Sequence, residues 1–179
     1  LIYKFHTREY IEKITNMSSK YGGDAGDSVP FGKGSFDIAR YAVGACLACV
    51  DEIMNPESSI KNGYALVRPP GHHAGRDGPS GFCLFNNVAV AAKNAVKNHG
   101  VKRVLIFDWD VHHGNGTQEI VADDDSILFI SMHRYEESFY PGTGHWNDTG
   151  LNNKKTKASG KVINIPFYDS YGDADVLFA

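Results

Sequence analysis

"RVLIFDWDVHHGNGTQ", residues 103–118, decides the fold. It opens on a continuous apolar run, "RVLIF", of the kind expected for a strand covered on both faces. Two aspartates and two histidines then occupy positions 108 to 113, and "TQEIVA" at 117–122 reads as a short helix. In a parallel α/β sheet, ligands collect outside the carboxyl ends of the strands. A buried strand that ends in four ionisable side chains therefore marks a site as well as a sheet. Two other stretches belong with it: "VRPPGHHAGRDGPSGFC" at 67–83 and "ISMHRY" at 130–135.

Working outward, Thr7 offers an N-cap, and apolar residues at helical spacing predict a helix over 8–15. Residues 18–34 are rich in Gly and Ser, a loop. A second helix is expected over 36–54, with Ser35 as N-cap and Asn55-Pro56 as its stop. "YALV" at 64–67, ended by Pro-Pro, reads as a strand. Residues 87–98 read as a helix capped by Gly100, with His99 a helix-end residue. Further strands are expected at 126–131 and 161–166. Between them, residues 134–160 lack periodicity and form a long loop, which in compact domains is often functional. Strands alternating with helices give an α/β architecture with a mostly parallel sheet.

Composition narrows the function classes. At 42% hydrophobic and 22% charged, the 179 residues suit one globular domain with one core. A net charge of −3 without a Lys/Arg run gives no electrostatic footprint for nucleic acid, so no direct nucleic-acid binding is expected. No apolar stretch reaches the length needed to cross a bilayer, so no membrane association is expected. Three cysteines do not make a disulfide framework. Cys46 and Cys49 form a CxxC, but they lie within a helical apolar pattern and are expected to pack. This suggests a reducing, intracellular setting, cytoplasmic or nuclear. The chain starts at Leu1 and stops as a helix begins, which reads as an incomplete single domain, residues 1–179.

The chemistry follows from residue types. On extended backbone, Asp108, Asp110 and His112 share one side, with Trp109, Val111 and His113 on the other. Carboxylate plus imidazole suits zinc, and catalytic zinc sites take three protein ligands with one open position. Asp110 and His112 supply two. Asp108 sits one step deeper and could orient a histidine or hold a second cation. His72 and His73, adjacent in a Gly-flanked loop, suit proton transfer near neutral pH. Asn115 offers a neutral partner to fix the tautomer of one of them, or a turn residue before Gly116.

Taken together, "RPPGHHA", "GFCLFNNVAVAA", "DWDVHHGNGTQ", "ISMHRY" and "GDAD" resemble the zinc-dependent histone deacetylase family, most closely its class II branch. The resemblance runs from "FHTREYIEKI" to the last residue. It implies a three-layer arginase/deacetylase-like α/β fold, truncated at its C-terminus. It implies that Asp110 and His112 bind catalytic zinc. His72 and His73 become the tandem histidines beside the metal's water, backed by Asp108 and Asn115 respectively. Asp108 and Ser131, with backbone of Asp110, His112 and Met132, match the family's structural potassium site. Gly81 borders the acetyl-lysine channel, Phe82 and Tyr140 form its walls, and Ser28 is the rim residue that holds substrate backbone. Tyr140 stands where many relatives carry Phe.

The family's third zinc ligand, an Asp, and its transition-state Tyr come from segments after the last strand, beyond residue 179. The resemblance thus implies a zinc amidohydrolase that deacetylates lysine in histones or other proteins, with corepressor complexes among its partners, although the 179 residues by themselves are expected to be inactive. Two alternatives stand: a deacetylase of acetylpolyamines or other small amines, and a catalytically weak acetyl-lysine-binding corepressor scaffold.

Overall fold

Parallel pairing of one central strand with two neighbours organises the chain, seen here in a computed structural model that describes residues 2–27, 29–150, 159–168 and 171–179. Helix α1 (Arg8–Lys20) is followed by a short hairpin, β1 (Gly23–Asp24) with β2 (Pro30–Phe31), and by α2 (Ser35–Met54). Next come α3 (Asn87–His99), β3 (Val104–Asp108), α4 (Asn115–Val121) and β4 (Ile127–Arg134). The last elements are β5 (Val162–Phe167) and α5 (Asp173–Phe178). The sheet order is β3-β4-β5, parallel throughout, with Asp108 paired to Ser131 and Ser131 to Asn164. The fold is α/β, as the alternation of elements predicts.

Side chains alternate across this sheet. Ile106, Ile127, Phe129 and Val162 point to one face and pack with Ala89 and Ala92 of α3 and Ile120 and Val121 of α4. A second core lies among α1, α2 and the start of α3, where Tyr10, Ile11, Ile14, Val43, Phe85 and Val90 are buried. Caps agree with the sequence at two helices. The Thr7 hydroxyl accepts from the Tyr10 N–H, and Gly100 ends α3 in the left-handed conformation.

Several expectations are corrected. Residues 64–67 form no strand; Tyr64 and Leu66 are 84% and 86% exposed, and an extended segment becomes a strand only where a backbone partner lies alongside. Ser35 is the first helical residue, not the N-cap, a place taken by Gly34; the Ser35 hydroxyl accepts from the Gly32 N–H instead. Helix α1 runs on to Lys20, and the loop at 18–34 holds the small hairpin. The "RVLIF" strand is covered on one face among the described residues, leaving Leu105 and Phe107 exposed on the other. Lys154, Lys155 and Lys157, within the long loop expected over 134–160, lie outside the described residues.

Three histidines are sealed in this fold. His6, His113 and His133 are at most 3% exposed. The His6 Nε2 accepts from the Asn86 N–H. The His133 Nε2–H donates to the Gly144 carbonyl and its Nδ1 accepts from the Ser131 hydroxyl. Burial pushes His6 and His113 down to about 4, and holds His133 below the ordinary imidazole range. His6 and His113 are neutral when folded and titrate near 6.5 when unfolded, so the unfolded chain binds more protons between about 4 and 6.5, and His133 acts in the same direction. The contribution of His6 and His113 is complete above pH 6.5 and is lost as pH falls from 6.5 toward 4, by up to about 1.4 kcal/mol per pH unit for each of the two imidazoles. Urea unfolding midpoints measured across that window should fall steeply; a flat profile would show that these imidazoles are not held neutral.

Candidate active site

The histidine loop and the start of α4 are joined through backbone groups. The Thr117 N–H donates to the His72 carbonyl at 3.0 Å. At Gly116 a Cβ would lie 2.3 Å from the Ala74 carbonyl oxygen, so only glycine permits that approach. Asn86 clamps the same junction from the start of α3. Its side-chain oxygen caps the helix through the Ala89 N–H, while its amide donates to the Ala74 carbonyl and the Thr117 hydroxyl, both at 3.1 Å.

The strand stops at Asp108, short of the extended run read through His112. Asp108 Oδ1 accepts from the Asp110 N–H at 3.2 Å, and Asp110 Oδ1 from the His112 N–H at 2.8 Å. Aspartates that bond backbone two residues ahead turn the chain. The turns leave Trp109 79% exposed and bury His113, which departs from the two-sided alternation read for this segment. The His113 Nε2–H donates to Gln118 Oε1 and its Nδ1 accepts from the Thr143 hydroxyl.

Seven of the sequence-selected residues line one cavity of about 600 Å³: His72, His73, Gly81, Phe82, Asp110, His112 and Tyr140. Asp108 and Asn115 stand behind the histidines. The His72 Nδ1–H donates to Asp108 Oδ2 at 2.8 Å, and the His73 Nδ1–H to Asn115 Oδ1 at 2.7 Å. Both imidazoles therefore leave Nε2 outside these two bonds, and that of His72 lies 3.8 Å from Asp110 Oδ1. Ser131 is fully buried beside Asp108 on β4, its hydroxyl engaged with His133. Ser28 lies outside the described residues. Asp27 and Pro70 also line the cavity, and Ser80 bonds to Asp27; none of these three is among the site residues expected from the sequence. Asp27 and Ser80 are 53 positions apart, and no local pattern relates them.

Environment separates the two histidines electrostatically. Burial works against the charged form of His72, but the hydrogen bond and charge of Asp108, with the charge of Asp110, outweigh it and raise its pKa. Burial, together with the neighbouring charge of His72, pushes His73 down to about 4, against a small upward pull from Asn115. Desolvation opposes ionisation of Asp110, yet the His112 N–H bond and the charge of His72 hold its carboxyl below the usual range.

The donor chemistry suits zinc. Asp110 Oδ1 and His112 Nδ1 lie 3.0 Å apart, a carboxylate and an imidazole side by side at the cavity. They are two donors, one fewer than a catalytic zinc site takes from protein. Among the described residues no group of three or more His, Cys, Asp or Glu side chains is placed to hold a metal. No helix among them is long and apolar enough to cross a membrane.

The histone deacetylase domain family matches residues 1–179. Histone deacetylase HDA1 of Saccharomyces cerevisiae is 40% identical over 99% of this chain and 26% of its own length. Polyamine deacetylase HDAC10 of Rattus norvegicus is 40% identical over 97% of this chain and 30% of its own. The crystal structure of the HDA15 HD domain superposes with a TM-score of 0.84 at 42% identity, covering 93% of this chain and 45% of that one. The chain thus spans less than half the length of these relatives.

Gly81 lies on the cavity wall. It sits at φ +48, and a Cβ there would lie 2.3 Å from the His73 ring and 3.0 Å from that of Tyr140. Gly81→Ala is expected to displace His73 and to destabilise the fold by about 1–3 kcal/mol, as overpacking does. Thermal unfolding beside a histidine NMR titration checks this; a His73 resonance that titrates as in the parent would contradict it.

Proposed function

Since this chain belongs to the histone deacetylase domain family, we propose that its site hydrolyses the acetyl amide of lysine side chains in proteins or peptides. The observation that carries the proposal is the pair of imidazoles on one cavity, each fixed through Nδ1 to a different partner and driven toward opposite protonation states. Asp110 and His112 would hold zinc, with a third ligand from outside the described residues. Bound there, the ion supplies a Lewis acid that polarises the acetyl carbonyl and acidifies water.

His73 is neutral and presents the lone pair of Nε2, so it takes the proton of the attacking water. His72 is the protonated partner beside it, at 4.0 Å between ring centroids, and its charge favours the developing oxyanion. The proton held by His73 then passes to the lysine nitrogen as the C–N bond breaks, releasing acetate and amine. Phe82 and Tyr140 flank the aliphatic stem. Phe82 keeps a left-handed backbone at φ +68, uncommon for a bulky residue and a recurrent feature of functional sites. Asp108 and Ser131, paired in register on adjacent strands, would support a structural potassium ion.

A second reading, hydrolysis of acetylated polyamines, is favoured by one feature: Asp27 and Asp110 line the cavity and no Lys or Arg does among its described residues, which suits a cationic stem. The test is zinc-dependent acetate release by the full-length chain from an acetyl-lysine peptide, with an N-acetylated polyamine run in parallel. Release is expected to vanish with chelator and to drop about 10²–10⁴-fold in His73→Ala, the range for loss of a general acid–base group. Turnover of the polyamine alone would transfer the assignment to small amines. No turnover of either by zinc-loaded protein would remove the catalytic reading.

A further inference from the structure

The wall residue Tyr140 has a hydroxyl, and that hydroxyl has a fixed destination. It donates to Asp27 Oδ2 at 3.0 Å. The Ser80 hydroxyl donates to the same oxygen at 2.5 Å, and the two hydroxyls also touch each other. These three residues come from three separate connections: the β1–β2 turn, the turn at 80–83 that precedes α3, and the loop after β4.

Each connection is braced from its own side. In the β1–β2 turn, Asp24 Oδ1 accepts from the Gly26 and Val29 N–H groups, and Ala25 N–H bonds to the Val29 carbonyl. The second turn is closed by Cys83 N–H to the Ser80 carbonyl at 2.8 Å. The third is held by the Gly142 N–H to the Phe139 carbonyl at 2.7 Å and, further on, by His133 Nε2–H to Gly144. Asp27 sits at φ +47, a conformation that Asp tolerates better than most residues.

The Tyr140 ring is fixed at its inner edge. It meets the His73 ring edge-on at 5.0 Å and 85°, and Gly81 leaves no room for a side chain between them. Tyr140 as a whole is 38% exposed, so packing covers only part of the ring. The bond to Asp27 fixes its hydroxyl end. We propose that Asp27 and Ser80 are positioning residues that, through the Tyr140 hydroxyl, clasp three loops together and set the bore of the pocket beside His73. The consequence for turnover rests on the deacetylase reading of the cavity; the clasp itself does not.

The test is a double-mutant cycle on the zinc-loaded full-length chain with an acetyl-lysine peptide. Tyr140→Phe keeps the ring and removes the anchor; Asp27→Gly removes the acceptor and relaxes the backbone. Each is expected to raise KM by about three- to tenfold and to lower kcat by less, and the double variant should match the singles, because one clasp is lost once. Multiplied effects would mean that Asp27 and Tyr140 act separately, and would overturn the proposal. Amide hydrogen exchange on the same proteins needs no turnover. Exchange at Gly26, Asp27 and Val29 should quicken about threefold or more in Tyr140→Phe. Unchanged exchange would overturn the clasp, whereas absent turnover with quickened exchange would remove only the deacetylase reading.

Discussion

Everything in the site hangs on how closely two backbones meet: the 71–74 loop and the start of α4. The Thr117 N–H reaches the His72 carbonyl, Gly116 lacks the side chain that would block it, and the buried Asn86 amide ties both to α3. None of these groups does chemistry. Without them, however, His72 would not face Asp108, and His73 would not face Asn115. A buried amide that satisfies a helix cap and two loop acceptors at once is costly to replace, because each lost partner leaves a desolvated polar atom.

That junction also explains how two adjacent histidines come to differ. They share a loop and a cavity, yet one Nδ1–H meets a carboxylate and the other a neutral amide oxygen. The carboxylate offsets the desolvation of His72, and the amide leaves desolvation of His73 largely unopposed. Once His72 carries charge, it further disfavours charge on its neighbour. Placing an acid form and a base form side by side therefore needs no unusual side chain, only one charged and one uncharged partner behind them.

The far wall is organised by a different kind of contact. His113, His133, Gln118 and Asn164 form a buried polar group whose imidazoles each donate once and accept once, which neutral tautomers satisfy in full. Through Thr143, Gly144 and Asp148 it holds residues 143–148 against the sheet, and the same stretch of chain after β4 brings Phe139 flat over the His112 ring, 5.1 Å away and tilted by 8°. A segment without periodicity is thus ordered by side chains from β4 and α4 rather than by its own backbone pattern.

From the sequence alone one could read the order of helices and strands, the parallel sheet, the site at the strand ends, and the inventory of carboxylates and imidazoles. Those depend on periodicity, caps and strand-end position, which are local properties. The pairing of His72 with Asp108 and of His73 with Asn115 was legible only through the family resemblance, since each spans 36 or 42 positions. Among the described residues, local pattern departs from the structure at residues 64–67, where an apolar run pairs with no described strand, and on β3, one face of which no described residue covers. It was silent on Asp27 and Ser80, polar residues in Gly-rich turns that look like any surface loop. What only the tertiary structure decided was which distant polar atoms meet and which faces are covered. The reason is physical: a hydrogen bond forms within about 3 Å, and the path of the chain, not the spacing of residues along it, determines that distance.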